Sequence, residues 1–358
     1  MSTKEISGNR FLLCTILLTL FGLIMTYSSS WVYSDMFYGN SYYLLLKQTI
    51  AAVIGFTALV VLARIDYHWL VRRGEYFLLG FLFLTALTFL PSLSQGGRWL
   101  DLGPVVVQPT EGLKFALILW IALTIERKGE KLKEFTEGVL PFFVALGGIA
   151  IFTLAQPDFS MTMLYASTIV FMLFVAGAKT ADLGKIFLGG IPLFGGILIM
   201  EPYRFKRLVS FFNPLEDKLD SGYQLMQSLM AFGSGRIFGK GLGQSAETFF
   251  YLPSAYNDFI FSIIVEELGF VGAILVLSGF GYLAYQGFKL SLNIEDPIGA
   301  HLASGITFIF VFQALINFAV TLGVLPVTGL TLPFLSYGGS SLIISLAMVG
   351  TLLNIAKK

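Results

Sequence analysis

The chain has 358 residues, 56% of them hydrophobic and only 13% charged, against about 25% charged in a soluble domain. A soluble globule cannot hide that much apolar surface, and the apolar runs are too long and continuous for an outer-membrane barrel. The net charge of +1 leaves neither a basic face for nucleic acid nor an acidic tail. What remains is an all-α polytopic membrane protein, 1–358 forming a single integral membrane domain.

A span needs roughly 20 apolar residues. In chain order the sequence predicts ten, near 10–30, 43–63, 76–91, 109–126, 139–155, 160–177, 183–200, 258–286, 299–322 and 338–355. The first ends in Tyr27-Ser28-Ser29-Ser30, a poor cleavage site, and reads as retained. The fifth and sixth are parted only by Gln156-Pro157-Asp158, a short re-entering turn. With the N-terminus inside, the inner segments hold fourteen of the 23 basic residues: Lys4, Arg10, Arg64, Arg72, Arg73, Arg127, Lys128, Lys131, Lys133, Lys179, Lys185, Lys289, Lys357 and Lys358. The short outer loops hold Arg98, with Lys47 near one end. The rest lie mainly in one long outer loop, 201–257, which is exempt from the positive-inside rule. Both termini are expected in the cytoplasm. Cys14 is the single cysteine, so no intrachain disulfide forms, and His68 and His301 are far apart in sequence.

Polar groups at membrane depth carry the functional signal. In Gln108-Pro109-Thr110-Glu111-Gly112-Leu113-Lys114, Glu111 and Lys114 share a helical face. They either orient the span as an internal ion pair or line a polar cavity. Asp158 follows Pro157 and can cap the next span. The long loop opens with Arg204, Lys206 and Arg207. Its stretch from Gly222 to Ser228 begins an amphipathic segment suited to the interface. Then come five glycines in eleven residues, 233–243, with Arg236 and Lys240. That loop reads either as an anion cradle or as a headgroup contact. Asp258, in Leu252-Pro253-Ser254-Ala255-Tyr256-Asn257-Asp258-Phe259, stands where a span begins, as a cap or as something more. Glu266 and Glu267 lie two to three turns deeper. Finally, 326–341 is uncharged, rich in Pro, Gly and hydroxyls, and includes Ser336, Tyr337 and Ser340. It can dip into a cavity only if protein or water satisfies its backbone.

These blocks, in this order, resemble the SEDS family (shape, elongation, division and sporulation), the RodA/FtsW/SpoVE proteins. Most specific are Gly-Lys-Gly-Leu-Gly at 239–243, Asp258-Phe259-Ile260-Phe261 with Glu266-Glu267-Leu268-Gly269, and the run from Leu332 to Ser341. Arg98-Trp99-Leu100, Gln108 to Lys114 and Gln156-Pro157-Asp158 also fit. The chain departs from the family's Pro-Glu-x-His-Thr-Asp-Phe at Ser254, Tyr256 and Asn257, has Val265 where a small residue is usual, and reads Gln95-Gly96-Gly97-Arg98-Trp99 in the first loop. Pro326-Val327-Thr328-Gly329 and the short tails are most like the elongation type, RodA; Thr331 leans toward the division type, FtsW.

The resemblance implies ten spans in the bacterial cytoplasmic membrane and a peptidoglycan glycosyltransferase that polymerises lipid II, a disaccharide-peptide on undecaprenyl pyrophosphate. It implies a class B penicillin-binding protein as partner, with other elongation-machinery membrane proteins and membrane lipids around it. The family's essential aspartate falls on Asp258. The expected chemistry is inverting transfer with Asp258 as general base, since a carboxylate near low dielectric titrates high. Arg98, Arg204, Lys206, Arg207, Arg236 and Lys240 are the expected pyrophosphate ligands. Glu111, Lys114, Asp158, Glu266, Glu267, Ser336, Tyr337 and Ser340 are expected to line the cavity. A divalent cation, Mg or Mn, would share the phosphate charge, although no ligand set is visible. The rival reading is a flippase for the lipid-linked precursor, which needs polar groups along the whole path.

Overall fold

The computed structural model describes residues 3–101, 103, 106–156, 158–214, 221–246 and 255–358. Pro157 of the expected turn, and Leu252, Pro253 and Ser254 ahead of Asp258, lie outside the described residues. The chain runs through helices α1 (Thr3–Tyr38), α2 (Tyr43–Leu62), α3 (Tyr67–Arg72), α4 (Gly74–Leu87), α5 (Pro109–Lys128), α6 (Leu140–Ala155), α7 (Phe159–Val175), α8 (Thr180–Met200), α9 (Pro202–Phe212), α10 (Ser221–Gly235), α11 (Ile260–Leu292), α12 (Pro297–Thr321) and α13 (Gly339–Lys357). Between α4 and α5, strands β1 (Ser94–Gln95), β2 (Trp99–Asp101) and β3 (Val106–Val107) form a small antiparallel sheet, with Gln95 opposite Trp99 and Leu100 opposite Val107.

All ten expected apolar stretches fall on helices. Six helical segments are long and apolar enough to cross a bilayer: α1, α2, Phe135–Ala155 ending in α6, α11, α12 and α13. The end of α8 and α9 meet at 102° and pass that test only as a pair, while α4 and α7 are shorter. α5 is central, buried at every residue from Pro109 to Leu119. It packs on α4, α7, α12 and α13. Its charged first turn is sealed inside the bundle rather than facing lipid.

Two helices organise the described part of the 201–257 segment. α9 is the amphipathic helix there, carrying Arg204, Lys206 and Arg207. α10 carries the Gly222–Ser228 stretch and packs on α11 and α12. Ser228 on it shares a 2.6 Å hydrogen bond with Ser262 of α11 and donates to the Thr321 carbonyl of α12 at 2.7 Å. A small hydroxyl-bearing face allows that close approach.

α11 is interrupted. Gly269 has φ 68° and ψ −161°, so the helix ladder breaks there. The chain after α10 fills the gap. Lys240 N donates to Glu266 O and Gly241 N to Glu267 O, both at 2.9 Å. In return Phe270 N donates to Arg236 O at 2.9 Å and Val271 N to Ile237 O at 3.2 Å. Backbone groups orphaned by the break are thus satisfied by a second backbone, as they must be away from water. A Cβ on Gly239 would sit 2.1 Å from Glu267 O, and one on Gly269 2.3 Å from Ile237 O. Gly235 and Gly239 of this loop thus serve backbone approach to α11.

Candidate active site

Asp258 lies in the turn just before α11, partly buried. Three successive carbonyls of that turn accept hydrogen bonds from elsewhere: Tyr256 O from Tyr337 N at 2.9 Å, Asn257 O from Ser336 Oγ at 2.6 Å, and Asp258 O from Asn317 Nδ2 at 2.8 Å. The backbone beneath the carboxylate is therefore held from outside its own helix.

The segment 326–338 packs over this turn. It has no regular structure, yet many of its carbonyls are occupied. Val327 O accepts from Arg207 (α9) at 3.0 Å, Thr328 O from Ser160 (α7) at 2.6 Å, Leu330 O from Asn317 (α12) at 2.8 Å, and Thr331 O from Gln313 (α12) at 2.8 Å. Gln48 of α2 donates to Ser336 O and accepts from Gly338 N, each at 3.1 Å. This meets the condition that irregular backbone at depth be satisfied by protein. Gly329, with φ +77°, faces Asp258; a Cβ there would lie 3.6 Å from Oδ2.

Around Asp258 the charges are mixed. Burial pushes its carboxyl up to about 6; Arg207 holds it down, Asp158 adds to the rise and Arg98 opposes it. Arg98 sits on the sheet hairpin and donates from Nε to Gln156 O at 2.9 Å. Asp158 caps α7 by accepting from Met161 N at 3.3 Å, so the capping reading of this residue holds. An open cavity of about 450 Å³ is lined by Gly96, Arg98, Trp99, Glu201, Tyr203 and Arg204. A further cavity of about 380 Å³ lies at the opposite end of α12, against Asp296 and His301.

The expected site residues separate into groups. Arg98, Arg204 and Arg207 lie on the Asp258 side, Arg98 and Arg204 on the cavity wall. Arg204 is buried and commits Nη2 to Leu154 O at 2.8 Å and Nη1 to Ile197 O at 3.4 Å, which fastens α9 to α6 and α8. Lys206 is exposed on α9. Arg236 and Lys240 belong to the loop stitched into α11. Lys240 is ion-paired at 2.6 Å with Glu266, which also accepts from Ser234, Ser245 and Ala246 N. Glu266 is about eight residues, or ~12 Å of helix, below Asp258.

Several expected lining residues are packed instead. Glu266 and Glu267 are wholly buried, and Glu267 accepts from Ser28 at 2.5 Å. α10, its loop and α1 cover that face among the described residues, and neither glutamate lines the two cavities described above. Lys114 is 1% exposed, 2.5 Å from Glu111, and donates to Gln313 at 3.1 Å. That pair is the internal brace of the two readings given above. Ser336 is a stitch between the loop and the Asn257 carbonyl. Ser340 accepts from Gln108 N at 3.0 Å at the start of α5. Tyr337 packs edge-on against Tyr256, which also meets Tyr33.

Sequence reasoning missed Gln313 and Asn317. Two amides four residues apart in an apolar span share one helix face, and that spacing was the available signal. Among the described residues no three His, Cys, Asp or Glu side chains come together to hold a metal. Asp258 has Arg207, Arg98 and Asp158 as its charged neighbours, and Asp158 has Arg98, Glu111 and Lys114, so cations stand beside both carboxylates. Carboxylates already faced by arginines, with no cluster of three such ligands among the described residues, do not fit a protein-held divalent ion.

A family model described as "Cell cycle protein", covering FtsW, RodA and SpoVE, matches residues 9–358. The chain belongs to the FtsW/RodA/SpoVE family. It is 40% identical to stage V sporulation protein E of Bacillus subtilis, over 100% of this chain and 99% of that one. It is 37% identical to a probable peptidoglycan glycosyltransferase FtsW of Geobacter sp. (strain M18), over 97% and 96%. Among solved structures it resembles a chain from work on structural coordination of polymerization and crosslinking by a peptidoglycan synthase complex, with TM-score 0.80, 26% identity, and 97% and 96% covered. The fold is shared with the rod shape determining protein RodA of Thermus thermophilus, at TM-score 0.67 and 24% identity over 97% and 95%. A family member of this kind is a multi-pass membrane protein, in keeping with the apolar helices.

Proposed function

We propose that this protein is a peptidoglycan glycosyltransferase that polymerises lipid II at the outer face of the cytoplasmic membrane, with Asp258 as general base. The observation that carries the reading is one carboxylate at the head of α11 within reach of the charges of Arg207 and Arg98, with Arg98 on the wall of a 450 Å³ cavity. The FtsW-named relatives support the activity class. In the proposed step the acceptor 4-hydroxyl oxygen bonds to the donor's anomeric carbon while the bond from that carbon to the diphosphate breaks. The hydroxyl proton passes to Asp258, and the lipid diphosphate leaves with the bond's electrons. One base and no covalent intermediate suffice for inversion. Arg98, Arg204, Arg207 and Lys206 are the proposed cations for the leaving diphosphate. A class B penicillin-binding protein is the proposed partner, on the strength of the similar chain from a synthase complex.

The stage served has two supported readings. Pro326-Val327-Thr328-Gly329 supports elongation. The FtsW- and SpoVE-named relatives, at 37–40% identity, support division or sporulation. Complementation of strains depleted of each endogenous polymerase separates them.

The test of the activity is polymerisation of purified lipid II by the full chain with its transpeptidase partner, for wild type and Asp258→Ala. Polymer from wild type and none from the variant is expected. Transbilayer movement of the lipid in vesicles without polymer would replace this reading with the flippase.

A further inference from the structure

Asn317 stands on α12, one turn from Gln313, and is 1% exposed. Its Nδ2 donates to Asp258 O and to Leu330 O, each at 2.8 Å. Both amide hydrogens are therefore spent on carbonyls of two non-helical segments, the turn before α11 and the 326–338 loop. Turning the amide over would aim Oδ1 at two carbonyl oxygens, so the partners dictate its orientation.

The two segments meet at Asp258. Gly329 presents no side chain to the carboxylate, so the gap between loop and carboxylate is set by how the two backbones are held. Ser336 and Tyr337 bind the turn to the loop at Asn257 and Tyr256. Asn317 joins both segments to a third element, a long buried helix. Gln313 repeats the device one residue along the loop, at Thr331 O, and is itself gripped by Lys114. Donors thus run from Lys114 of α5 through Gln313 to the Thr331 carbonyl, and Asn317, on the same helix as Gln313, joins the adjacent Leu330 carbonyl to the residue that carries the base.

We propose that Asn317 is a positioning residue for glycosyl transfer: it clamps the Asp258 carbonyl against the Leu330 carbonyl and so sets the distance and angle of the Asp258 carboxylate to the attacking hydroxyl. It does not touch the reacting atoms. The inference rests on Asp258 being the base. A misplacement of about 1 Å in such a group costs on the order of 10²-fold in rate.

The test uses the full chain with its transpeptidase partner, lipid II as substrate, and rates taken per folded, monodisperse protein. Asn317→Leu removes both donors at similar volume. Its expected effect is a fall of about 10²-fold in kcat with KM for lipid II changed less than about threefold. Asn317→Asp keeps the shape, and covers the case in which the leucine variant does not accumulate. Protonated, it donates to one carbonyl; ionised, it repels both. Its kcat is expected to fall as pH rises above neutrality, where wild type does not. A wild-type kcat in either variant, or a loss confined to KM, overturns the inference. Asp258→Ala is run beside them. An active Asp258→Ala removes the reading beneath; an inactive one beside a fully active Asn317→Leu removes only the clamp.

Discussion

Lys240 Nζ lies 2.6 Å from Glu266 Oε1, at the point where α11 is interrupted and a glycine loop takes over its hydrogen bonds. The carboxylate is wholly buried while the lysine is about one-third exposed. The two ends of the pair are therefore not equivalent. Lys240→Ala leaves a buried charge with only neutral donors and is expected to destabilise by about 2–4 kcal/mol. Glu266→Gln keeps Oε1 as acceptor for Ser234 and Ala246 N, can donate its new amide to the Ser245 hydroxyl, and lets Lys240 turn toward solvent, so it costs less. Thermal unfolding in detergent ranks the two; a larger loss for Glu266→Gln would contradict the assignment.

The glycines of the loop differ in the same way. Gly239 has φ +76° and its Cβ would strike the Glu267 carbonyl, whereas Gly243 has φ +73° and open space. Gly243→Ala pays only for the left-handed backbone, about 1–2 kcal/mol. Gly239→Ala adds a backbone clash and is expected to cost more and to expose residues 236–246 to proteolysis. Equal midpoints and equal cleavage would mean that the loop is not stitched into α11.

Activity should rise with pH through the acid range. The base must be ionised, and burial lifts Asp258 to about 6, so the rate is expected to climb between about pH 5 and 7. Arg207 favours the ionised form. Arg207→Gln removes that help, raises the Asp258 titration and moves the acid limb to higher pH, apart from any loss in maximal rate. A limb that stays in place, or moves to lower pH, would count against Asp258 as the titrating group.

Glu111 and Lys114 form a buried pair in the first turn of α5. Removing one partner, as in Lys114→Met, strands the other and is expected to cost about 3–5 kcal/mol. Glu111→Gln with Lys114→Met is expected to cost at least about 1 kcal/mol less than the sum of the singles, measured as a double-mutant cycle on thermal midpoints. Lys114→Met should also lower polymerisation, since Lys114 holds Gln313 and Gln313 holds the Thr331 carbonyl. Additive midpoints would show that the pair is not coupled.

Much of this molecule was legible before folding. The ten apolar stretches are local properties of the chain, and each lies on a helix. Glu111 and Lys114 are three residues apart, so their meeting required only a helix. Asp158 caps the helix that its position after Pro157 announced. The blocks around Asp258, 239–243 and 332–341 pointed to the family. The sequence was silent where a partner lies far along the chain. The five glycines and two cations of the 233–243 loop carry no record of the α11 break, some thirty residues later, that the loop fills. Ser336 looked like a lining residue because nothing local shows that its hydroxyl reaches Asn257.

By itself, then, the sequence determined that this chain lives in a membrane, where its helices run and which carboxylate begins α11, because hydropathy and helical spacing act over a few residues. Which polar groups meet was decided only in the tertiary structure. With no water at depth, every unpaired carbonyl and charge must find its partner across the bundle, and that search gave Asp258 its seat, Glu266 its lysine and Asn317 its two carbonyls.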